Sequence, residues 1–294
     1  MTNIDFPMMK YASFSRYALF VLSISSTMPL SAQIAEGEGV RPLLRPQSRL
    51  IGFVSAAKVE NQAVVFYNEK LSEYATKGAV VSPPNPQLER LRAIANRILP
   101  FTVEWNSRTS DWRWEVNLII DKQINASCSA GGKIIFYMGL LTRLQLTDDE
   151  VAAVMAHEIS HAIREHSRQT IAKDRATHLG SAAASLYLGL GQNGNKVANV
   201  GATLITKKFS RDFEYEADLV GFELAARAGY NPAAALTLHE KFAAVGEPGN
   251  ELLSTHPSDA NRIQQLKAAL QRVQPLYDRA EKPTVVYGPP QKPH

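Results

Sequence analysis

The 294-residue chain contains a single cysteine, Cys128. One cysteine excludes an intramolecular disulfide and a zinc knuckle built from cysteines. The chain also lacks any run of lysine or arginine. Its net charge of +4 comes from scattered residues, which gives nucleic-acid binding little support. Hydrophobic residues make up 45% of the chain and charged residues 20%, as in ordinary globular proteins, so a domain with a hydrophobic core is expected.

The sequence also lacks an apolar run long enough to be a comfortable membrane span. Near the N-terminus, Lys10 and Arg16 precede a short apolar stretch that is rich in serine and ends in a small-residue cleavage signal at Ala32. We therefore expect residues 1–32 to be a signal peptide and the mature protein to be periplasmic. The alternative is an uncleaved N-terminal anchor that holds the protein at the membrane, facing the periplasm.

A metal-ligand motif stands in the middle of the chain, where His157-Glu158-Ile-Ser-His161 has the form H-E-x-x-H. Apolar residues around it recur at helical spacing, and Thr147 and Glu150 have the spacing of a capping box, so the motif is predicted to lie on a helix. The two histidines are then one turn apart and can bind the same zinc ion, while Glu158 can take a proton from a zinc-bound water. Two histidines on a solvated helix face are the alternative, and a third ligand would decide between them.

A later predicted helix carries the acidic stretch Glu214-Tyr-Glu216-Ala-Asp218. Glu214 and Asp218 lie along one edge of its apolar stripe, near Arg211, whereas Glu216 and Glu223 are predicted to face solvent. Glu214 could complete a three-ligand zinc site with one position left for water, and Asp218 could accept the N–H of a ligand histidine. A solvated acidic helix face is the alternative, and spacing alone favours the ligand interpretation only slightly.

Together the two motifs resemble the HtpX and CAAX prenyl protease family of zinc metallopeptidases, the gluzincins, whose pattern is H-E-x-x-H followed by E-x-x-A-D. The chain is most similar to the soluble periplasmic branch that includes the β-barrel-assembly-enhancing protease. The resemblance extends to Gly131-Gly132, Gly139-Leu-Leu141 and Thr255-His256-Pro257, and covers about residues 45–272. The helical-repeat module of some relatives is not expected here.

The resemblance implies one zinc ion per chain, bound by His157, His161 and Glu214. It makes Glu158 the general base and places Asp218 behind the metal ligands, in contact with a ligand histidine. These roles come from positions that match the family pattern residue by residue.

The resemblance also implies roles outside the two motifs. His256 is expected near the metal, either assisting the transition state or blocking the open position, and Arg262 is expected to hold an active-site carboxylate. His166, His178 and His239 match no family position and are predicted to be structural or solvated.

The expected fold is α+β and mostly helical: a zincin-type domain with a small sheet packed on the H-E-x-x-H helix. Strands are predicted at residues 112–120 and 131–137, and helices after Ser55 and Asn85. The second strand could pair with an extended substrate backbone. The residues of this predicted substrate strand are Lys133, Ile134, Ile135, Phe136 and Tyr137.

Composition divides the chain into four parts. Residues 1–32 are the signal peptide, 33–50 a flexible leading segment, 51–273 the metallopeptidase domain and 274–294 a proline-rich disordered tail. Within the domain, residues 179–206 are predicted to form a helical hairpin of small residues.

The predicted function is zinc-dependent hydrolysis of peptide bonds in misfolded or misassembled proteins of the cell envelope, close to a membrane. The partners are then polypeptide substrates. The alternative is a largely latent zinc-bound chaperone or assembly factor for envelope proteins. The sequence leaves the oligomeric state open.

Overall fold

The computed structural model describes residues 37–187, 208–245, 251–256 and 260–291. The predicted signal peptide, the start of the leading segment and most of the predicted small-residue hairpin lie outside these ranges. Within them the fold is mostly helical with one three-stranded sheet, as predicted. No helix in these ranges combines the length and the apolar composition that crossing a bilayer requires.

The described ranges contain nine α-helices and four short 3₁₀-helices. The α-helices are α1 (Ala56–Thr76), α2 (Pro86–Ile98), α3 (Met138–Leu144), α4 (Asp148–Ile163), α5 (His166–Tyr187), α6 (Arg211–Arg227), α7 (Ala234–Val245), α8 (Glu251–Thr255) and α9 (Ala260–Arg279). The 3₁₀-helices are Arg41–Leu43, Arg49–Phe53, Leu99–Phe101 and Ser107–Asp111.

Side-chain caps fix where several helices begin. Ser55 accepts a backbone N–H at the start of α1, and Asn85 accepts two at the start of α2, where Pro86 is the first helical residue. At α4, Thr147 and Glu150 make both hydrogen bonds of the predicted capping box. These bonds satisfy N–H groups that have no partner inside the helix, so the predicted helix starts are confirmed.

The sheet contains β1 (Glu115–Ile119), β2 (Ala126–Ser129) and β3 (Lys133–Tyr137) in the order β1-β3-β2. The central strand β3 is parallel to β1 and antiparallel to β2. The sequence predicted β1 and β3 but not β2, which is short and polar. The turn between β2 and β3 requires Gly132, because its φ is +80° and a Cβ there would lie 2.8 Å from the Trp114 ring.

Helices α4 and α6 pack against each other at the centre of the fold, and α9 covers another side of α6. Strand β2 lies against α4, so the sheet packs on the H-E-x-x-H helix as predicted. The predicted apolar stripe of α4 is buried throughout, and it consists of Val151, Val154, Met155, Ile159, Ala162 and Ile163. This core fixes the two central helices against each other.

Two glutamates of α6 were predicted to face solvent, but the structure places both against other parts of the protein. Glu223 is fully buried and accepts the backbone N–H of Val40 at 2.8 Å. Glu216 accepts a hydrogen bond from the Arg164 side chain. The prediction was wrong because it gave α6 one solvated face, whereas the leading segment and the residues after α4 pack there.

The chain after α9 lies against the domain. The backbone N–H groups of Tyr287 and Gly288 donate to the carboxylate of Asp148, the first residue of α4, at 2.8 and 3.0 Å. The prediction of a disordered tail from residue 274 is therefore wrong for the described residues, of which those up to Arg279 belong to α9. The prolines after α9 disfavour regular structure, but neighbouring backbone N–H groups can still bond to the domain.

Candidate metal centre

Two histidines on α4 form the first side of the site. His157 and His161 are one turn apart, as predicted, and their Nε2 atoms lie 3.1 Å from each other. His161 is only 3% exposed. Two ring nitrogens at this distance need a hydrogen or a cation between them, because two lone pairs would repel each other. Both rings are thus directed at one point.

Helix α6 brings Glu214 to the same point. Its Oε2 lies 3.5 Å from Nε2 of His157, and its Oε1 lies 3.5 Å from Nε2 of His161. The side chain is fully buried. A carboxylate that is removed from water requires positive charge nearby, which a metal ion between these three residues would supply.

His256, which follows α8, is the fourth member of the cluster. Its Nδ1 lies 3.0 Å from Oε1 of Glu214 and 3.3 Å from Nε2 of His157. The ligand atoms of the four residues all lie within 4.8 Å of one another. Tetrahedral ligands at zinc–nitrogen distances of about 2.0–2.1 Å are separated by about 3.4 Å. The contacts of 3.0–3.5 Å in the cluster therefore fit zinc, and imidazole nitrogens and carboxylate oxygens are ligands that zinc accepts.

The electrostatics of the cluster favour a cation. Burial alone would raise the pKa of Glu214, but His161 and the other histidines hold it well below its usual range. Burial also opposes a charge on His157, yet the contacts with Asp218 and Glu214 raise its pKa to about 10. A centre that stabilises a proton this strongly also attracts a metal ion in its place.

Asp218 and Arg262 lie directly behind the cluster. Asp218 Oδ1 is 3.0 Å from Nδ1 of His157, and Arg262 donates to both Asp218 oxygens at 2.6 and 2.7 Å. Arg262 Nη1 also lies 3.1 Å from Oε2 of Glu214. Arg211, by contrast, is exposed at the first position of α6. Of the two arginines named from the sequence, Arg262 is the one brought to the carboxylates.

Glu158 faces the site from α4. Its carboxylate is buried, and its Oε1 lies 3.6 Å from Nε2 of His256. Burial raises the pKa of Glu158, and the facing histidines His256 and His157 lower it only in part. A carboxylate with a raised pKa can both accept a proton and return it.

The pattern of Peptidase family M48 matches residues 87–270, more than half of the chain, and all four residues of the cluster fall inside the match. The chain belongs to peptidase family M48. Members of the family are zinc metallopeptidases, and the cluster of this M48 domain can hold the metal.

Three curated relatives illustrate how far the similarity of the M48 chain extends. It is 36% identical over 213 residues to the mitochondrial metalloendopeptidase OMA1 of Schizosaccharomyces pombe, covering 71% of this chain and 60% of the relative. It is 29% identical over 195 residues to the metalloprotease LoiP of Escherichia coli, covering 64% and 73%. Identity to the beta-barrel assembly-enhancing protease of Escherichia coli is 27% over 170 residues, 54% of this chain and 35% of that protein. The chain thus spans less than two thirds of the first and third relatives.

The strand predicted to bind substrate lies in the centre of the M48 domain's sheet. Strand β3 pairs with β1 on one side and with β2 on the other, and all five of its residues are buried. The prediction of residues 133–137 as a substrate strand is therefore wrong, because both edges of the strand are already used. Lys133 instead binds Glu115 at 2.6 Å.

Two cavities meet at Glu158 and His256. The strand-side cavity, of about 80 Å³, is bordered by β2, α4 and Phe209. The apolar cavity, of about 50 Å³, lies on the side of α6 and α7. Its nonpolar walls include Phe222, Leu238, Phe242, Leu252 and Leu266. Sequence analysis did not find this cavity, because its walls come from five helices, α4 and α6 to α9, whose packing against one another leaves no local sequence pattern.

The sequence analysis also missed a histidine. His166, predicted to be structural or solvated, is fully buried, and its Nδ1 lies 2.8 Å from Nδ1 of His161. The signal available in the sequence was a histidine five residues after His161, the last residue of the motif. His239 is buried and borders the apolar cavity, and the side chain of His178 lies outside the described residues.

Proposed function

We propose that this chain is a zinc-dependent endopeptidase that hydrolyses unfolded or misassembled proteins of the cell envelope. The observation that carries the proposal is the convergence of His157, His161 and Glu214 on one point, with the Glu158 carboxylate beside it. The proposal assigns the metal to the first three residues and general base catalysis to Glu158.

Zinc bound at this point would activate a water molecule and polarise the scissile carbonyl. Glu158 takes the proton from the attacking water and returns it to the leaving nitrogen. Asp218 accepts the Nδ1 hydrogen of His157, which leaves Nε2 free to face the metal position. Arg262 contacts both Asp218 and Glu214 and reduces the repulsion between their charges. Glu158 thus accounts for proton transfer, and Asp218 and Arg262 account for the orientation and charge balance of the site.

Strand β2 replaces β3 as the proposed substrate strand. In the described part of the chain β2 is paired only with β3, and it lines the strand-side cavity next to Glu158. An extended peptide added to β2 would gain affinity from backbone hydrogen bonds, which require little specific sequence. The apolar cavity on the other side of His256 would accept a nonpolar side chain of the same peptide. Unfolded chains expose both features, which supports them as the substrate class.

We propose that the protein belongs to the periplasmic branch of the HtpX and CAAX prenyl protease group. It would then be exported, and its signal peptide would be cleaved near Ala32. The support is the similarity to LoiP and to the beta-barrel assembly-enhancing protease, together with the basic and then apolar N-terminal sequence. Retention of that segment as a membrane anchor is the alternative. Proximity to a membrane follows in either case from the proposed envelope substrates.

A largely latent chaperone or assembly factor is the second candidate, and one observation favours it. His256 lies in the fourth ligand position of the cluster, which a catalytic zinc site leaves open for water. A protein held in this arrangement would retain zinc and a peptide-binding surface but would hydrolyse little.

The substitution Glu158→Gln tests the proposed function. Glutamine has almost the same shape but cannot take a proton, so cleavage of casein is expected to fall by at least about 100-fold. Zinc content is expected to stay the same, because Glu158 is not among the metal-binding residues. The measurements are the cleavage rate and the zinc bound per chain in both purified proteins.

The matched control is Glu73→Gln on α1, which removes an exposed glutamate that pairs with Lys77. Its cleavage rate and zinc content are expected to equal those of the wild type. If Glu158→Gln cleaves as fast as the wild type, general base catalysis by Glu158 is wrong. A wild-type protein that binds zinc but never cleaves favours the latent chaperone.

A further inference from the structure

His166 lies at the start of α5, on the side of His161 that faces away from the metal cluster. Its Nδ1 is 2.8 Å from Nδ1 of His161, whereas Nε2 of His161 is the nitrogen directed at Glu214. The imidazole ring is fully buried and stacks on Phe213, with ring centroids 4.4 Å apart and planes 14° from parallel. The contact between the two histidines is thus short and removed from water.

The positions of the hydrogens follow from the role of His161. If its Nε2 binds a metal, this nitrogen must offer a lone pair, and the neutral ring then carries its hydrogen on Nδ1. Nδ1 of His161 therefore donates and Nδ1 of His166 accepts. The ring of His166 must then carry its own hydrogen on Nε2, which lies 3.6 Å from Oε2 of Glu216. Glu216 is in turn bound by Arg164.

The other ligand histidine has a similar arrangement. Nδ1 of His157 lies 3.0 Å from the carboxylate of Asp218, and Arg262 binds that carboxylate through two nitrogens. Behind each histidine of the motif lie a carboxylate and then an arginine. On the His161 side, the imidazole of His166 stands between the ligand ring and the carboxylate. Partners of this kind fix the tautomer and the ring orientation of a metal ligand, and their loss typically costs 10–100-fold in metal affinity.

We propose that His166 is a positioning residue of the metal centre, which holds His161 in the tautomer and orientation that zinc binding requires, with Glu216 and Arg164 completing the path. The inference rests on the proposed function, since it takes His161 to be a zinc ligand. It gives functions to the buried His166, which was predicted to be structural or solvated, and to Glu216, which was predicted to face solvent. His166 itself does not contact the metal position.

The test is the zinc affinity of His166→Phe, measured by competition with a chelator. Phenylalanine fills the volume and can still stack on Phe213, but it cannot accept the hydrogen of His161. Zinc affinity is expected to fall by 10–100-fold. Cobalt-substituted protein is expected to show a changed absorption spectrum, because the ligand ring is no longer fixed. In His166→Gln, whose side-chain oxygen can accept a hydrogen bond, affinity is expected to recover in part.

Phe213→Leu is the matched control, because it weakens the stacking and leaves the contacts of His166 with His161 and Glu216 intact. Its thermal stability is expected to decrease, with zinc affinity within about threefold of the wild type. If His166→Phe folds and binds zinc as tightly as the wild type, the inference is overturned. If His166→Phe does not fold, Glu216→Gln decides: reduced zinc affinity supports the inference, and unchanged affinity overturns it.

The same measurement separates this inference from the proposed function. A wild-type protein that fails to bind one zinc per chain contradicts the proposed function and, with it, the inference. A wild type that binds zinc and cleaves casein, beside a His166→Phe variant with unchanged zinc affinity, contradicts the inference alone.

Discussion

At the level of single residues, the position of His256 bears on whether a metal bound by the cluster would have an open position. Its backbone N–H donates to the carbonyl of Leu252 at 2.8 Å, and the N–H of Leu252 donates to the carbonyl of Ile124 beside β2 at 3.0 Å. These bonds hold the imidazole where its Nδ1 lies 3.3 Å from Nε2 of His157. If His256 blocks the site as proposed, a water molecule and a substrate carbonyl would compete with it for the same place.

The substitution His256→Ala is therefore expected to raise casein cleavage several-fold. Removal of the imidazole opens the fourth position while His157, His161 and Glu214 still hold zinc. The measurements are the cleavage rate and the zinc content of the purified variant beside the wild type. Ser254→Ala, an exposed change two residues earlier in the same segment, is the control and is expected to leave both unchanged. Loss of cleavage with zinc retained would contradict the blocking role and indicate that His256 assists the transition state.

The residues that sequence analysis predicted best are those whose relation is local. His157 and His161 lie one helical turn apart, a spacing that depends only on α4. Glu214 was favoured only slightly by its own helix and required the family resemblance, because its distance from the histidines depends on how α6 packs. His166 and Glu216 were missed for the same reason: they contact each other only after α5 and α6 have been placed beside α4.

At the level of elements, the contact between α4 and α6 sets the position of Glu214. Gly221 stands seven residues after Glu214, two turns along the same face of α6. A Cβ at this glycine would lie 2.8 Å from the backbone N of His157 and 3.0 Å from its Cα. Backbone atoms of one helix thus touch the other helix directly. The close approach brings the Glu214 carboxylate within reach of both imidazoles.

The substitution Gly221→Ala is expected to separate the two helices. Overpacking of this kind costs about 1–3 kcal/mol of the free energy of unfolding. Because Glu214 moves away from the histidines, zinc affinity is also expected to fall. The measurements are thermal unfolding of the metal-free protein and chelator competition for zinc. Gly52→Ala, where a Cβ would meet nothing within 4 Å, is the control. A variant with unchanged stability and affinity would show that the interface can adapt to the methyl group.

The sheet shows which features of an element a sequence pattern reveals. The run Lys-Ile-Ile-Phe-Tyr of β3 correctly indicated a strand, and a continuous apolar run is typical of a strand buried on both faces. Its central place argued against substrate pairing, but the neighbour β2 was not predicted. Four residues of alanine, serine and cysteine carry too weak a pattern to indicate the strand that borders the strand-side cavity.

At the level of the whole molecule, segments near both ends of the described chain pack on the domain although their composition predicted flexibility. The N–H of Gly39 donates to the carbonyl of Arg272, whose side chain donates back to the carbonyl of Gly39 at 2.7 Å. Glu38 pairs with Arg279 through both oxygens. Composition predicted disorder at both ends, because backbone bonds between residues more than 200 positions apart leave no local pattern.

Removal of residues 281–294 is expected to lower the stability of the domain and leave the metal centre intact. The truncation removes the two N–H groups that bind Asp148 and the carbonyl of Glu281 that binds Arg97. These losses are expected to cost about 1–3 kcal/mol, and each kcal/mol lowers the Tm by about 2–4 °C in a domain of this size. Zinc affinity is expected to stay the same, because Asp148 lies about 14 Å along α4 from His157.

Thermal unfolding and chelator competition check this prediction, with Val286→Ser as the control because that side chain is 79% exposed. The control is expected to unfold at the wild-type temperature. A truncated protein with the wild-type Tm would mean that the backbone bonds to Asp148 are replaced by water without loss. A large decrease in zinc affinity would instead mean that the start of α4 and the cluster are coupled through the helix.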